Sequence, residues 1–172
     1  VSMAWAGVNS ENLASIALEW PAPKRFSIFG LESFGYGGTA VLPLSVRIDD
    51  PDKPVTVRQV VSYLTCSDIC VPFEAELALT LGGAGEPTEH TQAIGKALGK
   101  VPVPAGLFGA TVESAFVPAA GDAAPAITVA VAGVPLAGAD VIVEGPLGVA
   151  FSKPEIRPTA QGFAARMDVQ GD

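Results

Sequence analysis

The sequence is short of charge, and of positive charge most of all. Lys and Arg number 10 against 18 Asp and Glu, charged residues make up 16% of the chain, and the net charge is −8. So few cations leave no patch able to neutralise a run of phosphates, which excludes nucleic acid and anionic membrane surfaces as partners. The same balance favours encounter with a basic partner face. Histidine is nearly absent: His90 is the only one, and it is expected to face solvent. Zinc sites take four ligands, so one histidine and two cysteines make a poor set, and no metal site is expected. Long hydrophobic runs are missing as well. The most apolar stretch, residues 126–139, is too short to span a bilayer and is interrupted by Gly133 and Pro135. No direct membrane insertion of this segment is expected. No signal peptide opens the chain, and Val1 begins inside what reads as an ongoing domain, so a mature or trimmed fragment is expected.

Cysteine is the last scarcity. Cys66 and Cys70 are the only two. One close pair is not a disulfide framework, and its meaning depends on its setting.

What the chain does have is apolar content, at 49% of residues, together with 19 Gly and 15 Pro. That apolar share rules out disorder. The Gly and Pro share suits short strands joined by many turns. Strand patterns run over residues 13–20, 39–48, 55–65 and 74–81, with an apolar, aromatic stretch at 26–34 and a Gly-rich turn at 35–38. In the last strand, Leu77, Leu79 and Leu81 share one face, and Glu74, Glu76 and Thr80 the other. Residues 88–98 form the one helix pattern, with Thr88 as its cap and Gly99 as its end. Strand-like runs then follow at 111–117, 126–132, 140–144 and 163–169.

The expected fold class is all-β. An immunoglobulin-like β-sandwich is followed by a second, smaller β unit, with one short linking helix between them. The expected boundaries are 1–87 for the sandwich carrying the cysteines, 88–104 for helix and linker, and 105–172 for the second unit. No alternating βαβ pattern appears, which argues against a thioredoxin fold.

Residues 66–73 are expected to connect two antiparallel strands and to carry both cysteines. A turn brings them within bridging distance. A helix would hold the pair at about 5–6 Å between Cβ atoms, against the roughly 3.5–4.5 Å that a disulfide needs. A bond closing about five residues stabilises by only about 2 kcal/mol, against about 3 for a 15-residue loop. A staple is better placed elsewhere, whereas a short exposed bond is open to an attacking thiolate. Asp68 stands between the cysteines, and Glu74 and Glu76 follow. Nearby negative charge disfavours thiolate, so activation on partner docking is expected rather than an unusually acidic free thiol. The residues alone leave alternatives open. The pair is redox-active, or it is an inert bond in a non-enzymatic binding or adhesion domain, or the unit is a chaperone-like module working through its strand edges.

Three motifs bear on that choice. They are Trp20-Pro21-Ala22-Pro23-Lys24-Arg25-Phe26; then Phe34-Gly35-Tyr36-Gly37-Gly38 followed by Val41-Leu42-Pro43; and the run from Tyr63 to Leu77 around Cys66-Ser67-Asp68-Ile69-Cys70. In this order they resemble the N-terminal periplasmic domain of the DsbD/ScsB family of transmembrane thiol:disulfide reductases. The likeness is specific over residues 12–81 and looser over 82–172, and the Cys spacing is closer to the ScsB branch. Members usually carry a further β segment upstream of where this chain begins. The resemblance implies a periplasmic module of an inner-membrane protein. It would take electrons from the parent's membrane-embedded and thioredoxin-like domains and reduce exported thioredoxin-like partners. Cys66 and Cys70 match the redox pair, with Cys70 forming mixed disulfides and Cys66 resolving them. No cofactor is needed, because exchange moves two electrons between sulfurs. Phe34, Tyr36, Tyr63 and Phe73 are candidates to shield the pair or meet a partner, and Asp68 to meet a partner.

Overall fold

The computed structural model describes residues 10–28, 31–82 and 87–170. They fall into two compact units, one ending at Pro102 and one beginning at Val103. Both are built from antiparallel strands in sandwich-like layers, so the fold is all-β and immunoglobulin-like.

The first unit contains β1 (Leu13–Leu18), β2 (Lys24–Ile28), β3 (Leu31–Gly35), β4 (Leu44–Ile48), β5 (Val55–Cys66), β6 (Cys70–Leu81) and α1 (Thr91–Leu98). Its strands pair as β1 with β4, β2 with β3, and β5 with β6, all antiparallel. One residue anchors the base of the long β5–β6 hairpin. Asn12 takes a left-handed backbone, φ 57°, which asparagine tolerates better than most residues. Its amide nitrogen donates to the carbonyls of Asp50 at 2.8 Å and Lys53 at 3.1 Å, while its side-chain oxygen accepts from the Asp50 N–H at 2.8 Å. The turn before β5 is thereby clamped onto the start of β1. The neighbouring Glu11 exchanges two backbone hydrogen bonds with Thr56, both 3.1 Å. Val55 and Val57 are buried at this base, and burial fades along β5 until its last three residues are exposed. Eleven steps of about 3.3 Å carry the strand roughly 36 Å from Val55 to Cys66. The hairpin is rooted at one end and open to solvent at the other.

The second unit contains β7 (Thr111–Val117), β8 (Ala126–Ala132), β9 (Ala150–Phe151), β10 (Glu155–Pro158) and β11 (Gly162–Gln170). Sheet order is β10-β11-β8-β7, with β9 on the far end of β11. Val129, Ala165 and Met167 form its core, and Val141 and Val143 lie against them.

Several expectations need correction. Residues 140–144 have a strand's alternation, with Val141 and Val143 inward, yet they join no ladder. Alternation reports which side chains face the core, not whether the backbone is paired. The expected strand 39–48 shortens to β4, and Pro43, which has no N–H to donate, stands just before it. The helix starts at Thr91 rather than just after Thr88. The Thr88 hydroxyl accepts from the His90 N–H at 3.3 Å, and the Thr91 hydroxyl accepts from the Thr88 N–H at 2.9 Å, which fixes a turn ahead of the helix. Residues 74–81 do form a strand, inside β6, and the shared face of Leu77, Leu79 and Leu81 is exposed. No described helix is long and apolar enough to cross a membrane.

Candidate redox site

β5 and β6 run in unbroken register through twelve facing pairs, from Val55 opposite Leu81 to Cys66 opposite Cys70. The connection is therefore only residues 67–69, not 66–73, and each cysteine is the last residue of a strand. The Ser67 N–H donates to the Ile69 carbonyl at 3.1 Å and tightens the turn. Cys66 and Cys70 are joined by a disulfide, their Cα atoms 4.1 Å apart. In antiparallel sheets, facing residues that exchange no backbone hydrogen bonds stand closest, near 4.5 Å, and their side chains approach most. The ladder ends on such a narrow pair, so the strands themselves bring the two sulfurs together.

Alternation then sorts the neighbours. Thr56 and Thr80 share a hydroxyl–hydroxyl bond of 3.0 Å, and the Ser62 hydroxyl donates to a Glu74 carboxylate oxygen at 3.2 Å. Both pairs are even-numbered, like Cys66 and Cys70. The disulfide face therefore continues down the hairpin as Leu64 opposite Pro72, Ser62 opposite Glu74, and Val60 opposite Glu76. Tyr63 and Phe73 also face each other, with rings stacked at 5.6 Å between centroids. They are odd-numbered and occupy the other face. Their stack braces the hairpin behind the disulfide and does not lie over it.

The remaining expected residues stand as follows. Asp68 is exposed in the turn. Phe34 and Tyr36 belong to the β2–β3 hairpin and its exit. The Arg25 guanidinium lies 4.9 Å from the Phe34 ring centroid and pairs with Glu32 at 2.8 Å. The Tyr36 hydroxyl donates to the Pro21 carbonyl at 2.7 Å, and burial pushes its phenol above the ordinary tyrosine range. A side chain added at Gly37 would meet the Phe26 ring at 3.5 Å. The Trp20–Phe26 and Phe34–Gly38 motifs are thus parts of one packed hairpin. Among the described residues, it makes no hydrogen bond or ring stack with the cysteine tip.

Sequence reasoning missed Leu64, Pro72 and Ile69. Leu64 is 57% exposed and Ile69 69%, large fractions for apolar side chains. For Leu64 and Pro72 the signal was present in the numbering: once the ladder closes at Cys66 and Cys70, even residues of both strands share the disulfide face.

An exposed disulfide at the end of a paired hairpin suits thiol–disulfide exchange, because an attacking thiolate needs a clear line to one sulfur. The family model for the N-terminal domain of thiol:disulfide interchange protein DsbD matches residues 3–82. No curated protein matches the chain by sequence. Among solved structures, the N-terminal periplasmic domain of ScsB from Proteus mirabilis is similar, with a TM-score of 0.62 at 20% identity. That likeness covers 99% of this chain and 64% of the ScsB chain. The cysteine hairpin thus lies inside the residues that match the DsbD N-terminal domain model, and the chain as a whole shares the fold of the ScsB domain.

Proposed function

We propose that the chain is a periplasmic disulfide-reductase module. It takes two electrons from a membrane-linked thioredoxin-like domain and passes them to exported partner proteins through Cys66 and Cys70. One observation carries this reading: an exposed disulfide closes the tip of a hairpin inside the segment that matches the DsbD N-terminal family.

In the reduced form, the Cys70 thiolate attacks the partner's disulfide. A mixed disulfide forms, and one partner sulfur leaves as thiolate. Cys66 then attacks Cys70 within the mixed disulfide, the Cys66–Cys70 bond closes, and the second partner sulfur leaves. Two electrons have moved to the partner, and solvent supplies the protons. Exchange with the donor domain runs the same steps in reverse. The ladder keeps both thiols facing each other, so resolution is intramolecular and fast. In this reading Phe34 and Tyr36 limit oxidation of the reduced pair between encounters.

Trapping tests the assignment. A Cys66→Ser variant incubated with an oxidised thioredoxin-like protein should accumulate a covalent complex through Cys70, visible on a non-reducing gel. Accumulation with Cys70→Ser instead would reverse the two roles. No complex with either variant would overturn the reading. For shielding, Phe34→Ala and Tyr36→Ala should speed air oxidation of the reduced pair, and unchanged rates would remove that role.

A further inference from the structure

The face that carries the disulfide has a built order: two sulfurs, then an apolar step of Leu64 and Pro72, then the carboxylates of Glu74 and Glu76. Glu74 is held in place by the Ser62 hydroxyl, and neither glutamate is ion-paired among the described residues. Four strand steps of about 3.4 Å place Glu74 roughly 14 Å from Cys70. Arg58 is the one cation on the same face, beyond Glu76 and opposite Ala78.

Pro72 also limits how a partner can approach. It belongs to the same narrow class of pair as the cysteines, so its backbone nitrogen points to the outer edge of β6. Proline has no N–H there, and an incoming strand would find no donor beside Cys70.

We infer that this face selects its partner. Resting on the exchange reading above, it takes a protein thiol flanked by apolar surface, with a Lys or Arg about 14 Å from the sulfur. Leu64 and Pro72 cover the apolar surround, and Glu74 with Glu76 receives the cation. Charge complementarity fixes the sign, since the face and the chain as a whole, at −8, are acidic. Exposed charge pairs steer encounter and register more than they add affinity, so the effect falls on the rate of exchange.

Three acetylated, amidated peptide thiols serve as probes: CGLGK, CGLGE and CGSGK. The probe thiolate attacks one sulfur of Cys66–Cys70. A peptide–protein disulfide forms, and the other cysteine is released as a thiol. Its rate is read by alkylation and mass shift, after division by each peptide's rate on a neutral small disulfide. At low salt CGLGK should react about threefold faster than CGLGE, the scale of one exposed ion pair. The gap should shrink in 0.5 M salt, where the screening length is only about 4 Å, and in a Glu74→Gln/Glu76→Gln variant. CGSGK should be slower than CGLGK, and Leu64→Ser should narrow that difference. Equal rates for all three probes on the unaltered protein would overturn the inference, provided dithiothreitol reduces the bond readily. Failure of dithiothreitol to reduce the folded protein would overturn the exchange reading itself, and the inference with it.

Discussion

Reducing the disulfide should weaken the first unit without unfolding it. The bond closes a loop of about five residues, for which chain entropy gives about 2 kcal/mol. Little else depends on it. The register has twelve facing pairs and the cysteines are only the last, while the clamps at Asn12 and Thr56 lie at the opposite end. Urea unfolding followed by tryptophan fluorescence, to which Trp20 contributes, compares oxidised protein with protein held in dithiothreitol. At a typical slope of 1–3 kcal/mol per molar urea, the midpoint should fall by about 0.7–2 M with the slope unchanged. By linkage, 2 kcal/mol places the folded pair about 45 mV below the same pair in the unfolded chain. A reduced form that is already unfolded, or that loses 5 kcal/mol or more, would refute this reasoning. The bond would then be a staple, and a module that must cycle through its reduced state could not depend on it.

Other predictions follow from single contacts. Asn12→Ala removes three short hydrogen bonds and puts alanine in a left-handed backbone, so it should cost about 3 kcal/mol in urea unfolding of the first unit. Tyr36→Phe should cost about 1 kcal/mol by losing the bond to Pro21. Because burial raises the Tyr36 phenol, the folded state holds that proton to higher pH than the unfolded state. Its contribution is complete below the unfolded value of about 10 and fades as pH rises through the folded one, so Tyr36→Phe should flatten the alkaline loss of stability. Gly162→Ala would drive a methyl group into the Val131 carbonyl, and Met167→Ala would empty a buried core site. Each should destabilise the second unit by about 2 kcal/mol or more while leaving the reduction rate of Cys66–Cys70 unchanged.

The sequence carried the β architecture well where a strand has one buried face. Residues 163–169 read as a strand and lie within β11, where Phe163, Ala165 and Met167 alternate into the core. It misled where alternation and pairing part company. Val141 and Val143 line the core without a ladder. Strands β9 and β10 escaped notice because two and four residues carry no usable period. The cysteine pair was legible from spacing and flanking motifs. Its neighbours were not, because placing the turn at 66–73 hid the register that puts Leu64 and Pro72 beside the sulfurs and Tyr63 and Phe73 behind them.

The central claim is that Cys66 and Cys70 cycle between disulfide and dithiol. The most direct measurement is the equilibrium reduction potential of the folded chain, read by thiol alkylation across a series of thiol–disulfide buffers. A value well above about −300 mV, within reach of thioredoxin-like donors, is the predicted result. A value below that would mark an inert structural bond and contradict the account.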